Sequence, residues 1–273
     1  MSKRVNRILA FVLCTVIFTL YVIPFIMVFI NSLKTKMEVV KNPLLLPELF
    51  KIDNYIEAFN TMNYQNGFVN SLLITVASVS VIILFSSMLA YYLVRRKTVF
   101  THVVFMVLVT AMIIPFQSIM IPFVSIFGKL DLLNSRGMLV FYYLGFGISM
   151  ATFMYHGFIK NIPEELEESA MIDGATQLQI FFKIIFPILK PITATIAILD
   201  VLWIWNDFLL PSLVLVSNDI KTLPLSTFHF FGQYTAKYNI AMAALILVFL
   251  PVIIFFLAMQ KQIISGVTEG AIK

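Results

Sequence analysis

Residues 8–30, "ILAFVLCTVIFTLYVIPFIMVFI", form an uncharged apolar run that is long enough to cross a bilayer. A transmembrane helix needs about 20 such residues. The run exceeds the roughly 7 to 15 residues of a signal-peptide core, and no small-x-small cleavage site follows it, so we expect it to be retained as a helix in the membrane. Cys14, the chain's single cysteine, follows "FVL" rather than the small residue that lipoprotein processing requires, and it can form no internal disulfide.

The whole composition is that of a membrane protein. Of 273 residues, 60% are hydrophobic and 12% are charged, whereas soluble domains carry roughly 25% charged residues. Six segments are long and apolar enough to span a bilayer. They are residues 8–30, 68–94, 99–127, 138–159, 188–205 and 240–259. We therefore predict an all-α membrane protein in which residues 1–273 form one transmembrane domain.

The basic residues predict the orientation of the chain. Lys3, Arg4 and Arg7 precede the first segment, and Arg95–Lys97 follow the second, so both clusters are expected on the cytoplasmic side. Both termini and the connection 160–187 are then cytoplasmic, whereas residues 31–67, 128–137 and 207–239 lie outside.

The third segment contains two prolines, Pro115 and Pro122, and both are predicted to break its helix. Proline removes a helical hydrogen bond and clashes with the preceding turn.

The longest cytoplasmic connection begins with "NIPEELEESAMIDG", residues 161–174, which has the marks of a short helix. Asn161 is a suitable N-cap, Pro163 suits the first turn, and Gly174 supplies a left-handed end. A second helix is predicted to begin near Thr176 and to continue into the fifth span. The prediction is a helix, a glycine turn and a second helix below the membrane.

This connection resembles the EAA motif of bacterial ABC importer permeases, which is Glu-Ala-Ala, three residues, Gly, nine residues and Ile-x-Leu-Pro. Two positions differ from the motif: Ser169 replaces the second residue and Phe186 replaces leucine. The matching residues are Glu168, Ala170, Gly174, Ile184 and Pro187. Further stretches, including "NSLKT" at 31, "MIIPFQSIMIPF" at 112, "WNDFLLP" at 205 and "GAIK" at 270, extend the similarity to the carbohydrate-uptake branch of the family and its maltose permease G-like subunits.

The resemblance implies several partners for a protein of the bacterial cell membrane. They are a second permease subunit, a cytoplasmic ABC ATPase dimer and an extracellular sugar-binding protein. We expect the loop 160–187 to be the coupling element that docks on the ATPase. The residues expected to dock are Leu166, Glu168, Ser169, Ala170 and Gly174.

Motifs for other chemistry are missing from the sequence. It contains no G-x-x-x-x-G-K-[ST] phosphate loop, so ATP is expected to bind to the partner subunit, and it contains no G-x-S-x-G elbow. His102, His156 and His229 lie too far apart in the chain for a metal site. We predict no cofactor, no metal, no catalytic residue and no nucleic-acid partner.

Four polar residues are candidates for the translocation path: Gln117, Asp200, Asn206 and Asp207. Asp200 is expected near the middle of the bilayer, where a charged side chain costs roughly 2.5 to 3.5 kcal/mol. It has two interpretations, as a pathway or gate residue and as a structural hydrogen-bonding group. Asn206 and Asp207 either end a helix in water or contact sugar.

Two other functional classes compete with the importer permease. A dimeric secondary transporter would need an intramembrane charge for ion coupling, and Asp200 is the candidate. An intramembrane enzyme could use the acids from Glu164 to Glu168, although the predicted topology places them outside the membrane.

Overall fold

The structure, a computed structural model, describes residues 3–230 and 237–271, with side chains for 6–230 and 237–260. In this part of the chain the secondary structure is helical throughout, which confirms the all-α prediction. A π-helical turn, Phe181–Ile185, lies between two short helices, Gln177–Ile180 and Phe186–Ile188. The helices are α1 (Lys3–Ser32), α2 (Lys36–Lys41), α3 (Asp53–Thr61), α4 (Tyr64–Arg95), α5 (Val99–Ala111), α6 (Phe116–Lys129), α7 (Arg136–Ile159), α8 (Glu165–Ile172), α9 (Gln177–Ile180), α10 (Phe186–Ile188), α11 (Lys190–Asn206), α12 (Leu209–Val214), α13 (Leu223–Ser226) and α14 (Tyr238–Ala271).

Four helical stretches can cross a bilayer unbroken, by their length and composition: Asn6–Ser32, Tyr64–Arg95, Arg136–Ile159 and Tyr238–Gln260. Two further pairs of helices qualify only when taken together, because each pair is sharply bent. The bend is 102° between α5 and α6, and 75° between Gln177–Ile188 and α11. The described residues therefore contain four continuous candidate spans, or six when each bent pair counts as one.

The bend between α5 and α6 lies where the first of the two prolines was expected to act. Pro115 has an extended backbone, with φ −69° and ψ 137°, and α6 begins at the next residue. Since proline disfavours the helical conformation in the residue before it, α5 cannot continue through Ile114. The prediction for Pro122 was wrong, because this residue lies inside α6. Its turn tolerates the loss of one backbone hydrogen bond.

The chain divides into two compact units, residues 1–67 with 223–253 and residues 68–222 with 254–273. In the second unit, α4, α7 and α11 meet at Gly147. A Cβ atom there would lie 2.6 Å from Cδ1 of Ile82 and 3.4 Å from the Trp203 ring. Ile82 is fully buried, so it has little room to move away. The absence of a side chain at Gly147 allows the three helices to approach closely.

Helices α7 and α11 are also joined by hydrogen bonds near both ends. The Tyr155 and Thr193 hydroxyls are 2.8 Å apart at one end, and the Tyr143 hydroxyl donates to Asp207 over 2.9 Å at the other. Both tyrosines are fully buried. These contacts hold the fourth and fifth predicted spans together along their length.

The first unit is organised around two buried polar side chains. Lys34 is 1% exposed, and its ammonium group donates to Asn31 Oδ1 and to the carbonyls of Asn42 and Pro43. Asn54 donates to the carbonyls of Ser32 and Lys34, which fixes the start of α3 beside the end of α1. Buried polar groups are tolerated when their hydrogen bonds are made, as they are here.

The close approach at Gly147 predicts a position-specific effect of alanine. Gly147→Ala should destabilise the purified chain by about 1 kcal/mol, because the new methyl group overpacks a closed contact. Gly145→Ala in the same helix is the matched control, since a Cβ atom there meets nothing within 4 Å. Thermal unfolding in detergent measures both.

Ile82→Val removes the Cδ1 atom that the new methyl group would strike, so it should restore part of the stability lost in Gly147→Ala. Equal unfolding temperatures for Gly147→Ala and Gly145→Ala would contradict the packing described for Gly147.

Candidate functional site

The candidate coupling loop, residues 160–187, is built around α8, whose C-terminal end has a complete Schellman motif. The amide of Gly174 donates to the carbonyl of Met171, and the amide of Ala175 donates to that of Ala170, both over 3.0 Å. Gly174 has φ +81°, the left-handed conformation expected for it. A Cβ atom at Gly174 would meet nothing within 4 Å, so the requirement for glycine comes from the backbone and not from space.

The N-terminal end of α8 differs from the prediction. Glu164 is the N-cap residue, without a side-chain capping bond, and its carbonyl accepts from the amides of Glu167 and Glu168. Asn161 was expected to cap this helix, but its side chain donates back to the carbonyl of Gly157 in α7. The helix starts later because residues 160–162 still continue the last turn of α7 through backbone hydrogen bonds.

The second helix of the loop begins where it was predicted, at Thr176. Thr176 and Gln179 form a reciprocal capping box, which satisfies two amides at the start of α9. The π-helical turn follows, and the buried Phe181 and Ile185 in it anchor the segment. The loop is therefore a helix, a glycine turn and a second helix that leads toward α11.

The underside of α8 is held by a buried ion pair. Glu167 accepts from Arg95 Nε over 2.7 Å and from the Tyr91 hydroxyl over 2.6 Å, and Arg95 also donates to the carbonyl of Ile162. The Arg95 and Glu167 side chains are 13% and 8% exposed. Tyr91 and Arg95 belong to the last turn and a half of α4, so this cluster binds the loop to the predicted second span.

A second ion pair at the N-cap of α8 is exposed. Lys97 Nζ lies 3.0 Å from Glu164 Oε1, and the hydrogen bond from Lys97 lowers the pKa of Glu164. Both side chains are more than half exposed, at 76% and 53%, so solvent screens the pair and it adds little to stability. The two ion pairs differ in burial although they reach the same helix.

The face of α8 that points away from this cluster is open. Leu166 is 45% exposed, and Ile172 is 87% exposed, the highest value among the large apolar side chains described. Glu168, Ser169 and Gly174 are exposed, and Ala170 is half-buried. Four of the five residues predicted to dock are therefore exposed, as is Ile172, and their role in docking stays a prediction.

The four candidates for the translocation path have different surroundings. Asp200 is buried in α11, and its Oδ2 atom has no hydrogen-bond partner within the described residues. Asp207 accepts from Tyr143 and from the amide of Leu209, so it ends α11 and starts α12. Asn206 is exposed and donates to the carbonyl of Leu202 in its own helix. Gln117 is exposed in the first turn of α6. Their role in transport stays a prediction.

Metal-binding geometry is missing from the residues that the structure describes: no three His, Cys, Asp or Glu side chains converge there. Two glutamates of the loop are instead engaged structurally. Glu164 pairs with Lys97, and Glu167 pairs with Arg95 and Tyr91.

Residues 82–269 match the family described as the binding-protein-dependent transport system inner membrane component. The chain belongs to this family. It is therefore a multi-pass membrane protein of a transport family, and not of an enzyme family. The matched region begins in α4 and includes the complete loop around α8.

Relatives match over their full length. The chain is 45% identical to the probable starch degradation products transport system permease protein AmyC of Thermoanaerobacterium thermosulfurigenes, over 99% of this chain and 98% of that protein. It is 36% identical to the melibiose/raffinose/stachyose import permease protein MelC of Bacillus subtilis (strain 168), over 100% of this chain and 97% of that protein. A chain in the crystal structure of a bacterial ABC transporter that imports the acidic polysaccharide alginate has the same fold. The TM-score is 0.80 at 22% identity, over 96% of this chain and 98% of that one.

Sequence reasoning missed the cluster of Tyr91, Arg95 and Glu167. Glu167 is one of four glutamates within five positions, and nothing in its neighbourhood distinguishes it from Glu168. The period of a helix divides these acids between two faces, but only the position of α4 decides which face is inside. Arg95 was interpreted only as part of the basic cluster that predicts the orientation of the chain. This interpretation gave no indication of its contact with Glu167.

Burial predicts that the two ion pairs contribute unequally to stability. Arg95→Met should destabilise the chain by roughly 3 kcal/mol, because it leaves the Glu167 carboxylate buried without its cation. Lys97→Met, the matched control, should change stability much less, because solvent screens both charges of the exposed Lys97–Glu164 pair. Unfolding in detergent, followed with the loop's accessibility to protease, measures both.

A double-mutant cycle gives a second check of the same pair. Arg95→Met with Glu167→Leu should be more stable than Arg95→Met alone, since no unpaired charge is left. Additive losses would show that Arg95 and Glu167 do not interact.

Proposed function

We propose that this permease is one membrane subunit of an ATP-driven importer for sugars or oligosaccharides. The observation that carries the proposal is full-length identity of 45% and 36% to permeases whose names refer to starch degradation products and to melibiose, raffinose and stachyose. Both names refer to sugars or to products of a polysaccharide, and both proteins are described as permeases. The transported molecule belongs to this chemical class.

The loop 160–187 docks on a cytoplasmic ATPase. An exposed apolar pair, Leu166 and Ile172, on a short helix outside the hydrocarbon core needs a protein surface to cover it. Glu168 beside them offers an exposed carboxylate to a cationic or amide donor on the partner. The buried cluster below gives α8 a fixed position from which a displacement can be passed on.

Other subunits complete the importer. The 18-residue apolar core of α1 is 0% buried within this chain, which supports a second permease as a partner that covers part of it, with lipid covering the rest. ATP binds to the ATPase dimer, and this subunit takes no cofactor of its own. A related alginate transporter has been crystallised with a periplasmic protein that carries an alginate pentasaccharide, which supports an extracellular sugar-binding protein here. Both termini face the cytoplasm.

The two competing classes are not favoured. The family is one of binding-protein-dependent systems, which does not fit a self-sufficient secondary transporter that uses Asp200. Two of the acids that an intramembrane enzyme would need, Glu164 and Glu167, instead pair with Lys97 and Arg95 and help to hold α8 in place.

The backbone of Gly174 provides the sharpest test of the docking loop. Gly174→Val should weaken ATPase association and lower sugar uptake by roughly 5- to 30-fold, because a side chain in the left-handed conformation costs about 1 to 2 kcal/mol. Gly174→Asn is the matched control, since asparagine tolerates this conformation and the space around Cβ is open. Co-purification with the ATPase and sugar uptake into cells measure both.

Insertion into the membrane should be normal in both variants, which separates docking from folding. If Gly174→Val binds the ATPase and transports like the Asn variant, α8 does not dock through its left-handed end.

The orientation of the loop is tested by cysteine labelling in a Cys14→Ser background. Glu165→Cys should react with an impermeant maleimide only after the cells are permeabilised, whereas Lys129→Cys, on the opposite side of the membrane, should react in intact cells. Both side chains are exposed, so access to solvent is matched. The reverse pattern would place the loop outside and exclude its docking on a cytoplasmic ATPase.

A further inference from the structure

Two adjoining cavities lie along α5, and the proposed transport function does not use them. The first, about 560 Å³, lies at the start of α5 and is lined by polar and basic residues together with Phe105 and Met106. The second, about 390 Å³, follows the helix to Ile114 and is lined almost entirely by apolar side chains. His102 and Met106 line both, so the two adjoin as an open groove, whose apolar part is formed by side chains of α5 and by Ile114.

The mouth of the groove is basic. Lys97, Lys160, His102 and His156 line it, together with one acid, Glu164. Lys160 is exposed and has no ion pair among the described residues, so its charge is available to a ligand. His156 stacks on Phe105 with ring centroids 3.9 Å apart, which fixes its imidazole at the side of the mouth.

The remainder of the groove has the length of one acyl chain in a single leaflet. From His102 to Ala111, the last residue of α5, the helical rise is about 14 Å, close to the half-thickness of a hydrocarbon core about 30 Å thick. Its wall contains Val103, Val107 and Ile114, which are 52%, 61% and 54% exposed. The groove ends at the bend before Pro115, where α5 stops.

We infer that this groove binds one anionic phospholipid of the cytoplasmic leaflet, with its phosphate between Lys160, Lys97 and His102 and one acyl chain along α5. A cationic mouth at the membrane surface that continues into an apolar channel one leaflet deep matches an amphiphile with a negative headgroup. A soluble anion would leave the apolar part of the groove uncovered. The site is independent of the transported sugar.

The site also adjoins the coupling loop. Lys97, which would contact the phosphate, is the partner of Glu164 at the N-cap of α8. A bound anionic headgroup therefore competes with Glu164 for the same ammonium group. The ammonium group of Lys97 would thus contact either the lipid headgroup or the N-cap residue of α8.

Native mass spectrometry of the delipidated full chain in detergent, titrated with long-chain phosphatidylglycerol, tests the site. One lipid should bind per chain, with phosphatidylcholine much weaker. Lys160→Gln should weaken phosphatidylglycerol binding about fivefold, the effect of one lysine near a phosphate. Lys183→Gln is the matched control, because Lys183 is exposed in the same cytoplasmic loop region but lines neither cavity.

Two further arms separate a lipid from a soluble anion. Ala111→Phe, which fills the apolar part of the groove, should weaken phosphatidylglycerol binding, and glycerol phosphate should not displace the lipid. Equal lipid retention in Lys160→Gln and Lys183→Gln would overturn the site. Displacement by glycerol phosphate together with unchanged binding in Ala111→Phe would also overturn it, in favour of a soluble anion.

Discussion

The hydrocarbon core of a bilayer offers no hydrogen-bond partner to a peptide group, and this constraint shapes the entire chain. Long helices satisfy it internally, as α4, α7 and α14 do. Where α5 stops before Pro115, the amides of Ile113 and Ile114 still donate to carbonyls within the preceding turn. Regular helices resist bending, so the places where the chain can change shape are few: the break before α6, the π-helical turn and the junction between α10 and α11. Movement of this permease is therefore expected as displacement of whole helices.

Helix α8 is attached to three of the long helices, α4, α7 and α11. Residues 160–164 join it to α7, the segment through α9 and α10 joins it to α11, and the Arg95–Glu167 pair joins it to α4. Because α7 and α11 are hydrogen-bonded at both ends and all three helices close on Gly147, a force on α8 acts on a packed group. A loop connected only to the fourth and fifth predicted spans would have no direct contact with α4. The buried cluster attaches the second predicted span to the same packed group.

Local features of the chain were predictable, and contacts between distant segments were not. Apolar length predicted the helical class, Gly174 and Thr176 marked a turn and a helix start, and Pro115 marked a break, since each acts on its own backbone. Pro122 shows the limit, because packing can retain a helix that proline weakens. The pairing of Glu167 with Arg95 joins residues 72 positions apart, and only the fold brings them together.

Helix α8 buries one carboxylate and leaves its large apolar side chains exposed, unlike a surface helix of a soluble protein. Its carboxylate Glu167 is inside, paired with Arg95, whereas Leu166 and Ile172 are outside. A soluble helix buries its apolar face because removing apolar surface from water drives folding. In this chain a buried ion pair holds the helix in place, although an ion pair of this kind adds little net stability compared with apolar residues packed in the same space. The arrangement is explained if the apolar face is reserved for another protein, and the ion pair fixes the angle at which that face is presented.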